Sequence, residues 1–322
     1  MIIADMHCDT LSRLYANRQH KTPYSLRSNP FQLDLEKMKQ SGYILQNFAV
    51  FVDFGKTSTP YDDCAGQIAL FQEEAQENQD SILPAASYQE IKRNMEAGKI
   101  SALLTIEEGA LCQGSLERLQ DFYRLGVRMM TFTWNYPNCL GSPAEPADHS
   151  HSGGLTPLGI SFLTEMERIG MIPDVSHLSD EGIQDVCRYA KKPFCASHSN
   201  ARSLCHRNRN LPDPLIRSIG AQGGIIGVNY YGPFLSSAPN PQGRHYSYAK
   251  DIAAHIRHIS NLGGISCIGL GSDFDGMDDN LEISHCGRMD LLIHALQKAG
   301  FHNSEIDKIC FQNILAFYRE LL

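Results

Sequence analysis

Five short acidic and imidazole motifs each close a run of residues that reads as a β-strand. That shared position constrains the fold more than any other feature. The motifs are His7-Cys8-Asp9, Glu107-Glu108-Gly109, His177, His198 and Asp273-Phe274-Asp275. In a parallel barrel or an open α/β sheet, strand C-termini face one side, and side chains carried there converge. Eight strand candidates lie near residues 3, 47, 103, 130, 173, 195, 226 and 270. Helical segments over 33–40, 65–79, 116–124, 180–189 and 248–261 lie between them, and two more helices close the chain. Such alternation implies a parallel sheet with helices outside. Eight units over 322 residues favour a closed (β/α)8 TIM-type barrel over a doubly wound sheet. No Pro/Gly/Ser linker divides the chain, so residues 1–322 read as one domain.

Local signals sharpen the elements. Ser87-Tyr88-Gln89-Glu90 reads as a capping box. Thr156-Pro157 marks a helix start, and Ser179 can cap the helix after it. Residues 135–154 read as a long loop, a length that is uncommon without a function.

Bulk properties exclude several classes. The net charge is −8, and Lys and Arg form no block suited to a phosphate backbone or an anionic membrane. No apolar run approaches the roughly 20 residues that span a bilayer. The start, MIIADMHCDT, lacks the basic region of a signal peptide. Ten cysteines occur without a CxxC pair, which reads as reduced, mostly buried thiols. A cytoplasmic enzyme is the expectation.

The motifs suggest its chemistry. His7 and Asp9 are two apart at a strand end, so they share a face and can reach one metal. Cys8 between them faces away and reads as packing. His177 and His198 add two imidazoles from separate strands. Imidazole and carboxylate donors point to zinc or a similar first-row ion. With a carboxylate bridge the set suits two ions. Glu107 is the candidate bridge, and Asp273 is free to act as a base. His149-Ser150-His151 reads as exposed or lip-forming, and His255 and His258 as a surface pair on one helix face. Gly269, Gly271 and Gly276 read as permitting tight strand–loop geometry. No GxSxG elbow or Walker pattern is present.

In order along nearly the whole chain, these segments resemble the renal (membrane) dipeptidase family. They are His7-Cys8-Asp9, Ile106-Glu107-Glu108-Gly109, Asp174-Val175-Ser176-His177, Ser197-His198-Ser199, Arg209-Asn210-Leu211-Pro212-Asp213 and Gly271-Ser272-Asp273-Phe274-Asp275-Gly276. The resemblance implies a dinuclear zinc peptidase on a (β/α)8 barrel. One zinc would take His7, Asp9 and Glu107, and the other Glu107, His177 and His198. Asp273 would be the catalytic acid–base, and Arg209 would meet the substrate carboxylate with its guanidinium fork. A small dipeptide is the implied substrate, with a D-residue tolerated at its C-terminal position. The chain lacks the signal and anchor tail of membrane-bound relatives, so a soluble bacterial-type member is expected. Relatives often dimerise, and a homodimer is a possibility that no segment here identifies.

Two departures stand out. The family pattern Glu-Gly-Gly is here Glu107-Glu108-Gly109-Ala110, which leaves Glu108 as an alternative to Glu107. Mammalian members carry a substrate-touching histidine where Trp134 and Asn135 now follow Thr131-Phe132-Thr133. An enzyme acting on another small amide or lactam is therefore an alternative. A non-catalytic binding protein on the same barrel is a third reading.

Overall fold

A computed structural model describes residues 1–18, 23–145, 153–239, 243–278 and 280–322. Its strands are β1 (Ile3–Asp5), β2 (Tyr43–Phe51), β3 (Ile82–Pro84), β4 (Ile100–Glu107), β5 (Val127–Thr131), β6 (Ile172–Asp174), β7 (Cys195–Ala196), β8 (Ile225–Val228) and β9 (Ile268–Leu270). All are parallel, and the path runs β1-β2-β4-β5-β6-β7-β8-β9. The seam between the two end strands closes through backbone bonds. Met6 N–H donates to Leu270 O at 2.8 Å, and Asp273 N–H donates to His7 O at 3.2 Å. The sheet is the expected eight-stranded (β/α)8 barrel with one addition. β3 pairs with residues 100–102 of β4, on the edge that β5 takes over further along. At three residues it is too short to show a period in the sequence.

β4 reads ISALLTIE and is buried at every position, as expected of a parallel strand covered on both faces. Helix starts follow the cap chemistry. Thr156 Oγ1 accepts from Gly159 N–H at 3.0 Å, and Ser179 Oγ accepts from Gly182 N–H at 3.1 Å. Each such cap contributes about 1 kcal/mol. At Ser87 only half of the capping box forms. Ser87 Oγ accepts from Glu90 N–H at 3.3 Å, but Glu90 reaches back to the N–H of Ala86, at 2.7 Å, instead of Ser87.

Packing separates the two ends of the barrel. Ala4, Leu45, Leu103, Met129, Ile172 and Cys195 form a small cluster closed by Ile314 and Tyr318 of the last helix. The buried Tyr318 hydroxyl is 2.7 Å from the Asn47 amide nitrogen and anchors that plug. The polar motifs gather at the opposite, C-terminal ends of the strands. Among the described residues, no helix is long and apolar enough to cross a membrane.

His255 overturns its expected surface position. The helix Ala249–Gly263 turns this residue inward, where it is 1% exposed. Its Nδ1 accepts from Ala201 N–H at 3.0 Å, and its Nε2 lies 3.0 Å from Leu235 O. The segments carrying those two residues cover a helix face that the sequence alone leaves open. Its helix-mate His258 does sit toward the surface, 2.9 Å from Asp213. Burial lowers the His255 pKa to about 4. The unfolded chain binds this proton near the usual pKa of about 6.5, so stability falls as pH drops from about 6.5 toward 4. The expected loss is about 3 kcal/mol at the low end. Urea midpoints of wild type and His255→Gln at pH 7.5 and pH 5 check this, because the variant lacks that part of the pH dependence.

Candidate metal centre

The strand ends depart from sheet geometry where the motifs sit. His177, Asp273 and Asp275 have φ of 70°, 64° and 73°, and Glu108 has 128°. Non-glycine residues in the left-handed region cost about 1–3 kcal/mol each, and such strain concentrates at functional sites. Gly276 belongs to the same construction. A Cβ there would run into the carboxylates of Asp9 and Asp273, so the backbone packs against both acids.

Six side chains converge on the barrel mouth: His7, Asp9, Glu107, His177, His198 and Asp273. The Glu107 carboxylate lies at their centre, and its two oxygens face different partners. Oε1 is 2.9 Å from His177 Nε2 and 3.4 Å from His198 Nε2. Oε2 is 3.4 Å from His7 Nε2, which is itself 3.4 Å from Asp9 Oδ2 and 3.8 Å from Asp273 Oδ1. The His7 and His198 rings stack with centroids 3.8 Å apart. Glu108 takes no part. It turns away, and its carboxylate accepts from Ala110 N–H at 2.8 Å, Trp134 N–H at 3.1 Å and the Asn138 amide at 2.7 Å.

This donor set fits cations. His177 Nε2 and His198 Nε2 are only 3.0 Å apart, with Glu107 Oε1 against both. Two imidazole nitrogens on one tetrahedral zinc stand about 3.3 Å apart, so the crowding matches a shared ion. His7 Nε2 and Asp9 Oδ1 are buried without a hydrogen-bond partner. Two groups could each surround an ion: His7, Glu107 and His198, and His7, Asp9 and Asp273.

The electrostatics show the same demand for positive charge. Burial alone would lower the His7 pKa, but the Glu107 and Asp9 carboxylates overrule it and hold the ring well above the usual range. Burial opposes ionisation of Glu107, yet His7, His177 and His198 hold it well below the carboxylate range. Asp273 is pushed up to about 8 by burial, with Asp9 and Glu107 adding against the pull of His7. Burial and then Arg209 lower His177 to about 4, while burial, His7 and Arg209 take His198 well below the ordinary value.

Partners beyond the centre hold these side chains. His177 Nδ1 lies 3.1 Å from Asn135 Oδ1, and His198 Nδ1 lies 2.8 Å from Ser197 Oγ. Asn229 donates to Asp273 Oδ2 at 2.9 Å. Asp275 accepts from the Thr10 hydroxyl at 2.6 Å and from Gln32 N–H at 2.7 Å, so this second acid of its motif ties down the loop.

A cavity of about 610 Å³ opens over the centre, and Asp9, Glu107, His177 and Asp273 form part of its wall. Trp134 and Asn135 line it as well. Trp134 packs against Phe51 at 4.9 Å and His177 at 6.2 Å between ring centroids. Tyr231 and Phe234 form a second aromatic wall, and Arg13 and Asp278 lie at the rim. Sequence reasoning missed Arg13, Phe51, Tyr231, Phe234 and Asp278. Only Phe51, at the C-terminal end of its strand, carried a positional signal. Arg209 sits behind Phe234 instead of on the cavity wall, with its guanidinium 5.8 Å from that ring. It donates to Ser199 Oγ at 2.8 Å and His198 O at 2.9 Å, and its buried Nε has no hydrogen-bond partner. His149 and His151 lie outside the described residues. Cys8 packs in the core.

Comparison with known proteins gives one consistent result. Residues 1–321 match the family model for membrane dipeptidase, peptidase family M19. Dipeptidase aclJ of Aspergillus oryzae is 32% identical over 255 residues, which is 76% of this chain and 59% of that protein. An uncharacterized protein from the pqqA 5′ region of Klebsiella pneumoniae is 31% identical over 261 residues, covering 80% of this chain and 95% of that one. The fold matches a Rhodobacter sphaeroides metallopeptidase crystallised with a phosphinate mimic of L-Ala-D-Ala. The TM-score is 0.89 at 22% identity, covering 100% of this chain and 99% of that one.

Proposed function

The chain belongs to the membrane dipeptidase family of metal-dependent hydrolases, and we propose that it holds two zinc ions across Glu107 and cleaves small dipeptides. The observation that carries this reading is the Glu107 carboxylate. One of its oxygens faces His177 and His198, and the other faces His7 beside Asp9. His7, Asp9 and Glu107 would hold one ion, and Glu107, His177 and His198 the other. What two such ions bring is a lowered pKa for water and polarisation of the scissile carbonyl.

The protein's own groups do the rest. Asp273 reaches the centre from the last strand. It takes a proton from the attacking water and delivers it to the leaving amine. Asn229 keeps that carboxylate turned toward the site. Arg209 stands one side chain back from the cavity, behind Phe234, and its unpartnered buried Nε–H is a donor suited to the substrate's C-terminal carboxylate once Phe234 swings aside. Trp134 and Asn135 bound the substrate on the opposite side. An aromatic wall there replaces a polar contact with an apolar one. A D-residue at the C-terminal position is accepted in this reading, as the L-Ala-D-Ala mimic bound by the Rhodobacter peptidase suggests for that enzyme.

The test is hydrolysis of a dipeptide panel that includes L-Ala-D-Ala and L-Ala-L-Ala, by zinc-loaded protein with and without chelator. Chelator-sensitive cleavage of at least one dipeptide is expected. If no dipeptide is cleaved while both ions stay bound, the dipeptidase reading fails. The same centre then belongs to an enzyme acting on another small amide or lactam.

A further inference from the structure

Asp174 ends β6 and Ser197 follows β7, and both are buried, at 2% and 0% exposure. Neither lines the cavity over the metal centre. Among the described residues their side chains form one connected set of hydrogen bonds. Asp174 Oδ1 accepts the N–H groups of Ser176 and Ser197, each at 2.9 Å. Asp174 Oδ2 accepts the Ser197 hydroxyl in a short bond. The Ser197 oxygen then lies 2.8 Å from His198 Nδ1. Ser176 Oγ accepts His198 N–H at 3.1 Å and lies 3.3 Å from Ser197 Oγ.

A hydroxyl has one proton to give. Here it goes to the carboxylate, so toward the imidazole the Ser197 oxygen can only accept. Nδ1 must then be the donor. A neutral ring with its proton on Nδ1 has its lone pair on Nε2, and Nε2 is the atom that faces Glu107 and His177. We propose that Asp174 and Ser197 are positioning residues that fix the tautomer of His198, acting through a carboxylate–hydroxyl–imidazole chain, so that Nε2 is always presented as a ligand. The proposal rests on His198 as a metal ligand; with no ion bound, Ser197 Oγ at Nδ1 and the Glu107 carboxylate at Nε2 compete for the ring proton, and the proposal assigns it to Nδ1. Metal-bound histidines commonly owe their orientation and basicity to such outer partners. The unusual part here is the serine, which inverts the hydrogen-bond direction if its proton is redirected.

Asp174→Asn tests this at constant size. The amide oxygen can keep both backbone donors, and the amide nitrogen then donates to Ser197 Oγ. The Ser197 proton turns to His198 Nδ1, the ring proton moves to Nε2, and the lone pair facing Glu107 is lost. Nitrogen-15 NMR of the metal-free protein reads the tautomer, with the His198 signal identified by its loss in His198→Gln. Zinc competition with a chromophoric chelator reads affinity. Wild type should carry the proton on Nδ1 and Asp174→Asn on Nε2. One of the two zinc affinities should fall about 10–100-fold while the other holds. Ser197→Ala should weaken the same site without inverting the tautomer.

A wild-type ring protonated on Nε2 overturns the proposal, and so does an Asp174→Asn variant that keeps Nδ1–H and full zinc affinity. The wild-type measurement decides the tautomer even if Asp174→Asn fails to fold. An inverted tautomer with both affinities unchanged would retain the pair and remove His198 from the ligand set.

Discussion

Asp273→Asn should lower kcat by about 10²–10⁴ while both metal ions stay bound and KM changes little. That is a loss of about 3–5 kcal/mol of transition-state stabilisation. The expectation rests on position and on charge. The Asp273 carboxylate reaches the centre with Oδ1 3.8 Å from His7 Nε2, and Asn229 fixes its other oxygen. Burial and the neighbouring acids push its pKa up to about 8 in the metal-free protein, and two bound cations would draw it back toward the carboxylate form that accepts a proton. Asparagine preserves the size and can still pair with Asn229, but it cannot shuttle a proton. Steady-state kinetics with metal analysis of the same sample separate the outcomes. Turnover within a few-fold of wild type would remove Asp273 as the base. Loss of an ion would instead make it a ligand alongside His7 and Asp9, a grouping the geometry also permits.

Glu107→Gln should cost the protein both ions, because this carboxylate is the group whose oxygens face both imidazole sets. The loss should exceed the 10–100-fold seen when an outer partner of a metal ligand is removed. Metal content below one equivalent and no detectable dipeptide cleavage are the expected results. Glu108→Gln is the matched comparison. Its carboxylate faces Ala110, Trp134 and Asn138, so two equivalents of metal should remain. Any effect should come through the cavity wall at Trp134. A Glu107→Gln protein that still binds two equivalents would contradict the bridging role.

Much of this centre is legible in the sequence because strand ends are legible. A buried strand such as Ile100–Glu107 shows as a continuous apolar run, and the polar residue that stops it is placed at the barrel mouth by the parallel topology alone. His177 and His198 follow the same rule. Counting back from Leu125-Gly126 without a gap favours Glu107 over Glu108, and in the structure the Glu107 carboxylate stands among the imidazoles while that of Glu108 turns to Ala110, Trp134 and Asn138. The Asp174–Ser197–His198 chain was beyond reach, because its logic lies in hydrogen-bond direction across two strands. His255 misled for a different reason. Helical spacing tells which residues share a face, but not what covers that face. Arg209 shows the same limit at the site, since its place behind Phe234 depends on a segment about 25 residues further along.

The central claim is that Glu107 joins two metal positions. Anomalous diffraction from zinc-loaded crystals, collected above and below the zinc edge, tests it most directly. The account predicts two peaks, one enclosed by Glu107 Oε1, His177 and His198, and the other by Glu107 Oε2, His7 and Asp9. A single peak, or peaks that leave the Glu107 carboxylate uncoordinated, would contradict it.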